Sequence, residues 1–313
     1  MINHSKNQEN IVNEEFNEIW KNTPNDYDQF VKKMADPSFV VREPSHDNAI
    51  INMVHRAAVS GNYILENYDR GSVIIDAACG NGFFTCYMQE KGYDVMGFDF
   101  AETGINDSKK LAEKIGVPSD IFLVGDHSYF KTIESNSVDV ICGLGWMRYL
   151  EAGVRDFIYR ETFRVLKPNG CFIVSNDNQL FDIFAMNNYT IDFWSEVIGS
   201  LSEVNNLLPS GNIKDALRDE IKLPTRKFSD RSVSKLINKH IENPLAFGEI
   251  VKTYGYKLEK NVFPDCHLLP PFLESQVDPA KLENLKGKIS LQHAEDDWRT
   301  MFMGFEFVSF LIK

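Results

Sequence analysis

From Ser72 onward the chain alternates short, continuously apolar runs with longer stretches that carry apolar residues on one helical face. The short runs are Val73-Ile74-Ile75-Asp76, Asp94-Val95-Met96-Gly97-Phe98-Asp99, Ile121-Phe122-Leu123-Val124, Val138-Asp139-Val140-Ile141-Cys142 and Gly170-Cys171-Phe172-Ile173-Val174. Runs of this kind suit parallel strands covered on both faces. Between them, Phe83 to Lys91, Gly104 to Ile115 and Arg155 to Leu166 have helical periodicity. The alternation predicts an α/β fold with a Rossmann-like, doubly wound, mostly parallel sheet. A period-two run, Phe305-Glu306-Phe307-Val308-Ser309-Phe310-Leu311-Ile312, predicts a further strand near the C-terminus.

Upstream, Glu14 to Trp20 places Phe16, Ile19 and Trp20 on one face, and Asp26 to Met34 repeats that spacing. A third helix is expected from Ser45, a suitable N-cap, through Ile64. Residues 178–243 break the strand–helix rhythm with two aromatic helix candidates, Phe181 to Phe184 and Phe193 to Ile198. The breakers Pro209-Ser210-Gly211 and Leu223-Pro224 lie among them. The order resumes at Asn243-Pro244 with a helix to Tyr254, stopped by Gly255, and a strand ending at Val262. The expected division is an N-terminal helical cap (1–70), an α/β core (71–177 and 244–313) and a helical insertion or lid (178–243).

Composition narrows the partners. The 313 residues are 43% apolar and 25% charged, which is ordinary for a soluble globular protein. No apolar run approaches the ~18 residues that span a bilayer, and Met1 to Asn10 lacks a secretory h-region, so a cytoplasmic location is expected. A net charge of −12 repels phosphate backbones and anionic lipids, which disfavours nucleic acid and membrane partners. Five cysteines with no CxxC spacing argue against a disulfide framework or a metal site. Cys142 and Cys171, inside apolar runs, read as core.

The chemistry is concentrated at successive strand ends. The first strand enters Asp76-Ala77-Ala78-Cys79-Gly80-Asn81-Gly82, where glycines allow a tight turn and a closely approaching ligand. Nucleotides bind at the carboxyl ends of parallel strands near a topological switch. The second strand ends at Asp99, whose carboxylate suits the two hydroxyls of a ribose. The third ends at Gly125-Asp126, where a second carboxylate suits an adenine amino group.

This ordered set resembles class I S-adenosylmethionine (SAM)-dependent methyltransferases. Asp76 to Gly82 is similar to their first motif, Asp/Glu-x-Gly-x-Gly-x-Gly, with Ala78 at the first glycine as the smallest departure. Asp99 and Asp126 match the ribose- and adenine-side acids, and Arg164-Val165-Leu166-Lys167-Pro168-Asn169-Gly170 resembles the turn before the fifth strand. The likeness is good over about residues 70–177 and looser over 244–313. It implies SAM as cofactor, held by Asp76, Ala78, Cys79, Gly80, Gly82, Asp99, Phe100, Gly125, Asp126, His127 and Gly143, and a sheet whose last strand is antiparallel. A nicotinamide oxidoreductase is the rival nucleotide fold. Against it, the loop lacks Gly-x-Gly-x-x-Gly, and Asp76 would oppose a pyrophosphate while suiting the cationic methionine end of SAM.

The resemblance also implies an acceptor past the fourth and fifth strands. His267 is the candidate general base, since imidazole titrates near neutral pH, although it equally suits packing before Pro270-Pro271. Arg148 and Arg299 suit an anionic acceptor or internal pairing. Trp146 and Tyr149 suit stacking on a substrate or core packing, and Asn176 lies at the end of the fifth strand. Tyr27 either closes over SAM or packs inside. His46, His55 and His240 carry no pattern that assigns them a role, and His4 and His293 read as surface. Gly143-Leu144-Gly145-Trp146 stands where amino-methylating enzymes of adenine or glutamine have Asn-Pro-Pro-Tyr/Phe. The expected activity is methyl transfer to a hydroxyl, or an amine, of a small molecule, sugar or natural product, by a monomer or homodimer. A non-catalytic SAM-binding protein of the same fold is the alternative.

Overall fold

The computed structural model describes residues 14, 16–18, 20–21, 26–35, 49–199, 212–223, 240–264, 266–274, 276–278, 280–281 and 297–313. Ser45, His4, His46, His293, Pro209-Ser210-Gly211 and Pro224, all weighed above, lie outside them.

Two helices precede the sheet: α1 (Tyr27–Met34) and α2 (Ala49–Asn67). Asp26 caps α1 by accepting from Gln29 N–H at 2.9 Å, and Tyr27, Phe30 and Met34 form its buried stripe. The core then runs β1 (Val73–Ala77), α3 (Phe83–Glu90), β2 (Asp94–Asp99), α4 (Glu102–Ile115), β3 (Phe122–Val124), β4 (Val138–Gly143), α5 (Ala152–Val165) and β5 (Leu166–Asn178). Between β5 and the next strand lie α6 (Phe181–Ala185), α7 (Asn188–Gly199) and α8 (Ile213–Glu220). After them come β6 (Ile241–Glu242), α9 (Phe247–Lys252), β7 (Lys257–Val262), α10 (Pro271–Glu274), α11 (Thr300–Met303) and β8 (Glu306–Ile312).

The strands lie in the order β3-β2-β1-β4-β5-β8-β7, and β6 pairs with the end of β5. β1 to β5 are parallel, whereas β8 runs antiparallel to both β5 and β7, as expected. Because β1 has β2 on one side and β4 on the other, the crevice at its carboxyl end is the switch point. One apolar cluster joins α1 to α4 with Ile74, Val95, Val140, Cys142, Cys171 and Ile173 on one face of the sheet. The other packs α5 and α9 against Ile75, Ile141, Phe172 and Val174. Cys142 and Cys171 are fully buried, as core residues should be.

Two features differ from the sequence pattern. β5 runs for 13 residues, extending past Val174 through Ser175-Asn176-Asp177-Asn178. These polar residues are all buried, because β6 and β8 flank the end of the strand. β6 itself is too short to be visible as a period. Among the described residues no helix is long and apolar enough to cross a membrane.

Candidate functional site

The site begins with the turn between β1 and α3. Ala78, Gly80 and Gly82 all take left-handed backbone conformations, with φ of 59°, 56° and 73°. Gly82 has no substitute: a Cβ there would sit 2.7 Å from Ser108 and Phe122. Ala78 adopts the same region at a cost of about 1 kcal/mol. The turn is tied to β2 by hydrogen bonds. Cys79 N–H donates to the Phe98 carbonyl (3.1 Å) and Gly80 N–H donates to Asp99 Oδ2 (2.9 Å). Ala101 N–H donates to Asp99 Oδ1 (2.8 Å), and Gly125 N–H donates to the Asp99 carbonyl (2.9 Å). The three strand ends are thus held to one another through Asp99.

Asp76 and Asp99 are 3% and 4% exposed. Burial pushes the Asp76 carboxyl up to about 7, against the opposing bond from Thr85 Oγ1 at 2.6 Å. Burial likewise pushes Asp99 up to about 6, offset in part by the Ala101 and Gly80 N–H groups. No cationic side chain pairs with either among the described residues. Two buried carboxylates without a counter-charge, beside a glycine turn, fit a ligand that brings hydroxyls and a positive charge. The cationic amino acid end and ribose of SAM supply both.

The flanking positions have distinct surroundings. Asp126 is exposed and accepts from Ser128 N–H (2.8 Å). Burial opposes the shift, but that bond holds its carboxyl below the usual range. The His127 ring packs edge-on against Phe157, with centroids 5.5 Å apart. Phe100, just past Asp99, meets Phe16 edge-on at 5.5 Å. Gly143 is buried, and a Cβ on it would lie 3.2 Å from the Phe172 ring.

On the β4–β5 side the structure separates the acceptor candidates. Arg148 is 4% exposed and forms ion pairs with Asp177 and Glu306, while Arg56 also reaches Glu306. Burial alone would lower the Arg148 pKa, but those carboxylates drive it above the ordinary value. Its charge is therefore met inside the protein, the internal pairing that stood beside an anionic acceptor as the alternative for this residue. Arg299 is a surface residue chelated by Asp297. Tyr27 is buried against Phe83 and donates its hydroxyl to Glu90, so it packs α1 onto α3 instead of closing over the turn. Trp146 is buried between Phe98 and Phe130. Tyr149 meets Phe16 edge-on at 5.1 Å. Asn176 is 2% exposed, and its Nδ2 is buried with no acceptor among the described residues.

His267 is 5% exposed, tilted against Phe181 at 5.1 Å, with its Nδ1 2.7 Å from Glu274 Oε2. Burial raises the Glu274 carboxyl, yet the His267 bond brings it below the usual range. Its Oε1 accepts from Leu268 and Leu269 N–H (2.9 and 3.3 Å), fixing the carboxylate in place. A second pair, His240–Glu242, had no signal in the sequence. β6 creates it by laying His240 beside Arg148, whose carbonyl accepts from His240 N–H at 2.7 Å.

A family model described as a methyltransferase domain matches residues 68–240, more than half of the chain. The chain belongs to this family, as a class I SAM-dependent methyltransferase, and its cofactor is SAM. Among curated proteins it is similar to the S-adenosyl-L-methionine-dependent Diels-Alderase iccD of Talaromyces variabilis, with 31% identity over 107 residues. That similarity takes in 33% of this chain and 35% of the relative, so the chain spans about a third of the length of the curated protein it matches. Among solved structures, a SAM-dependent methyltransferase from Mesorhizobium loti shares 15% identity at a TM-score of 0.48, over 82% of this chain and 98% of that one. One from Archaeoglobus fulgidus shares 13% at 0.47, over 82% and 92%.

Proposed function

We propose that the protein transfers the methyl group of SAM to a hydroxyl, or an amine, of a small molecule, with His267 as the general base. The observation that carries this reading is the buried His267–Glu274 pair. With its proton on Nδ1, facing that carboxylate, the ring would present Nε2 as the basic nitrogen, the arrangement that general-base chemistry requires. When bound, SAM supplies an electrophilic methyl carbon that the acceptor attacks while the carbon–sulfur electron pair stays on sulfur. Asp99 would accept hydrogen bonds from the ribose hydroxyls, and Asp76 would serve the cationic end. Asn176 offers its amide donor, which has no acceptor among the described residues, to the acceptor molecule. The net charge of −12 supports a small, non-phosphorylated acceptor.

Methyl-labelled SAM incubated with fractionated small-molecule extract tests this reading. The expected result is label in one fraction together with release of S-adenosylhomocysteine (SAH). His267→Ala should lower the rate roughly 100-fold or more while SAH affinity stays put. Full activity in that variant removes His267 from the mechanism. The similarity to a Diels-Alderase favours a second reading, in which SAM is held as a bound cation and keeps its methyl while a small molecule cyclises. Substrate turnover that requires SAM yet releases no SAH would establish the second reading over the first.

A further inference from the structure

Upstream of α1, one helical turn sits on the carboxyl edge of the sheet and away from the apolar core. Phe16, Asn17 and Trp20 belong to it, and each reaches a different wall of the cleft that the Asp76–Gly82 turn lines. Phe16 spans from Phe100, after β2, to Tyr149, after β4, with ring centroids 5.5 and 5.1 Å away. Asn17 Oδ1 accepts from Thr103 N–H at 3.0 Å. That donor lies in the first turn of α4, where the preceding Ala101 has no side-chain oxygen to offer as a cap. Trp20 lies across Gly80 and Gly104: a Cβ on Gly80 would collide with the indole, and one on Gly104 would come within 3.3 Å of it.

We infer that Phe16, Asn17 and Trp20 are the removable wall of the SAM site, so that cofactor enters and leaves only when this turn lifts from Gly80, Thr103 and Phe100. The inference rests on the reading of the cleft as the SAM site. Gly80, which the indole covers, is the residue whose N–H holds Asp99. Aromatic rings at that position exclude water, and an unscreened pair of carboxylates attracts a cation more strongly. The docked state also carries a cost: the Trp20 indole N–H is buried with no acceptor among the described residues. Asn17 supplies a polar latch to α4, beside the ring edges and glycines that the turn covers.

The test uses the full chain and SAH as ligand. Stopped-flow dissociation and titration calorimetry compare the wild type with Asn17→Ala and Trp20→Ala, and hydrogen exchange follows the wild-type peptide containing Phe16, Asn17 and Trp20. SAH should slow exchange in that peptide, and dissociation should quicken about tenfold in Trp20→Ala and several-fold in Asn17→Ala. Unchanged dissociation together with unchanged exchange overturns the proposal. So does tighter SAH binding by Trp20→Ala, which would mean that the indole occupies the place of the cofactor and does not enclose it. Exchange in the wild type needs no variant to fold. If SAH binds neither the wild type nor the variants, the cofactor reading itself falls, and the wall with it.

Discussion

Two pairs of buried carboxylates stand at the same end of the same sheet. Asp76 and Asp99 close β1 and β2; Asp177 and Glu306 lie where β5 and β8 meet. All four are no more than 4% exposed. The second pair is neutralised inside the chain by Arg148 and Arg56, whereas the first has only hydroxyl and N–H donors and is pushed up to about 7 and 6. Burying an ionised carboxylate is costly unless something compensates it. In one place the fold supplies the compensation, and the charge serves to hold β4, β5 and β8 together. In the other it withholds compensation, and the charge is left for a ligand.

The sharpest way to break this contrast is Arg148→Met. It strands Asp177 and part of the charge of Glu306, so unfolding free energy should fall by about 3–5 kcal/mol in denaturant titration. A change near zero would mean that these carboxylates are not ionised partners. Next, Asp99→Ala should weaken SAH binding roughly 100-fold in calorimetry, as hydrogen bonds to a charged acceptor are lost. Equal affinity would remove Asp99 from ribose recognition.

A gentler probe is pH. Asp76 and Asp99 must be ionised to serve a cation and hydroxyls, so SAM affinity should rise about tenfold or more between pH 5.5 and 7.5. A flat profile would contradict the buried, raised carboxyls. The smallest effect concerns the ligand-free protein. A carboxyl raised in the folded state favours folding at low pH, and that contribution, whole below about 4, is lost progressively as pH rises to about 7. Asp76→Asn should therefore gain more stability at pH 8 than at pH 5, by on the order of 1 kcal/mol or more, with the gain vanishing only below about pH 4, measured by denaturant titration across that range.

The first pair was legible in the sequence because strand geometry fixes it. An apolar run ending in Asp76, then spaced glycines, then a second run ending in Asp99, leaves little freedom about where those groups lie. The second pair was not. Arg148 reads equally as a grip for an anionic acceptor or as an internal partner until β8, 158 residues later, brings Glu306 to it. The N-terminal aromatics teach the same lesson. Tyr27 and Trp20 both mark amphipathic helices, but only packing decides that Tyr27 faces α3 and Trp20 faces Gly80. His240 needed a two-residue strand to acquire a position at all.

β8 follows β7 in the chain yet lies between β5 and β7. The sheet is therefore complete only once β8 has joined both β5 and β7, which precede it in the chain. Contacts that span 158 and 250 residues, Arg148 and Arg56 with Glu306, cannot form before that event. Closing such loops is slow, and until it happens β5 keeps an open ladder edge of apolar residues and Arg148 lacks its second carboxylate. Maturation of the charged cluster is thus a late kinetic step, and partly assembled chains in which β8 has not inserted are the species most exposed to edge-to-edge association.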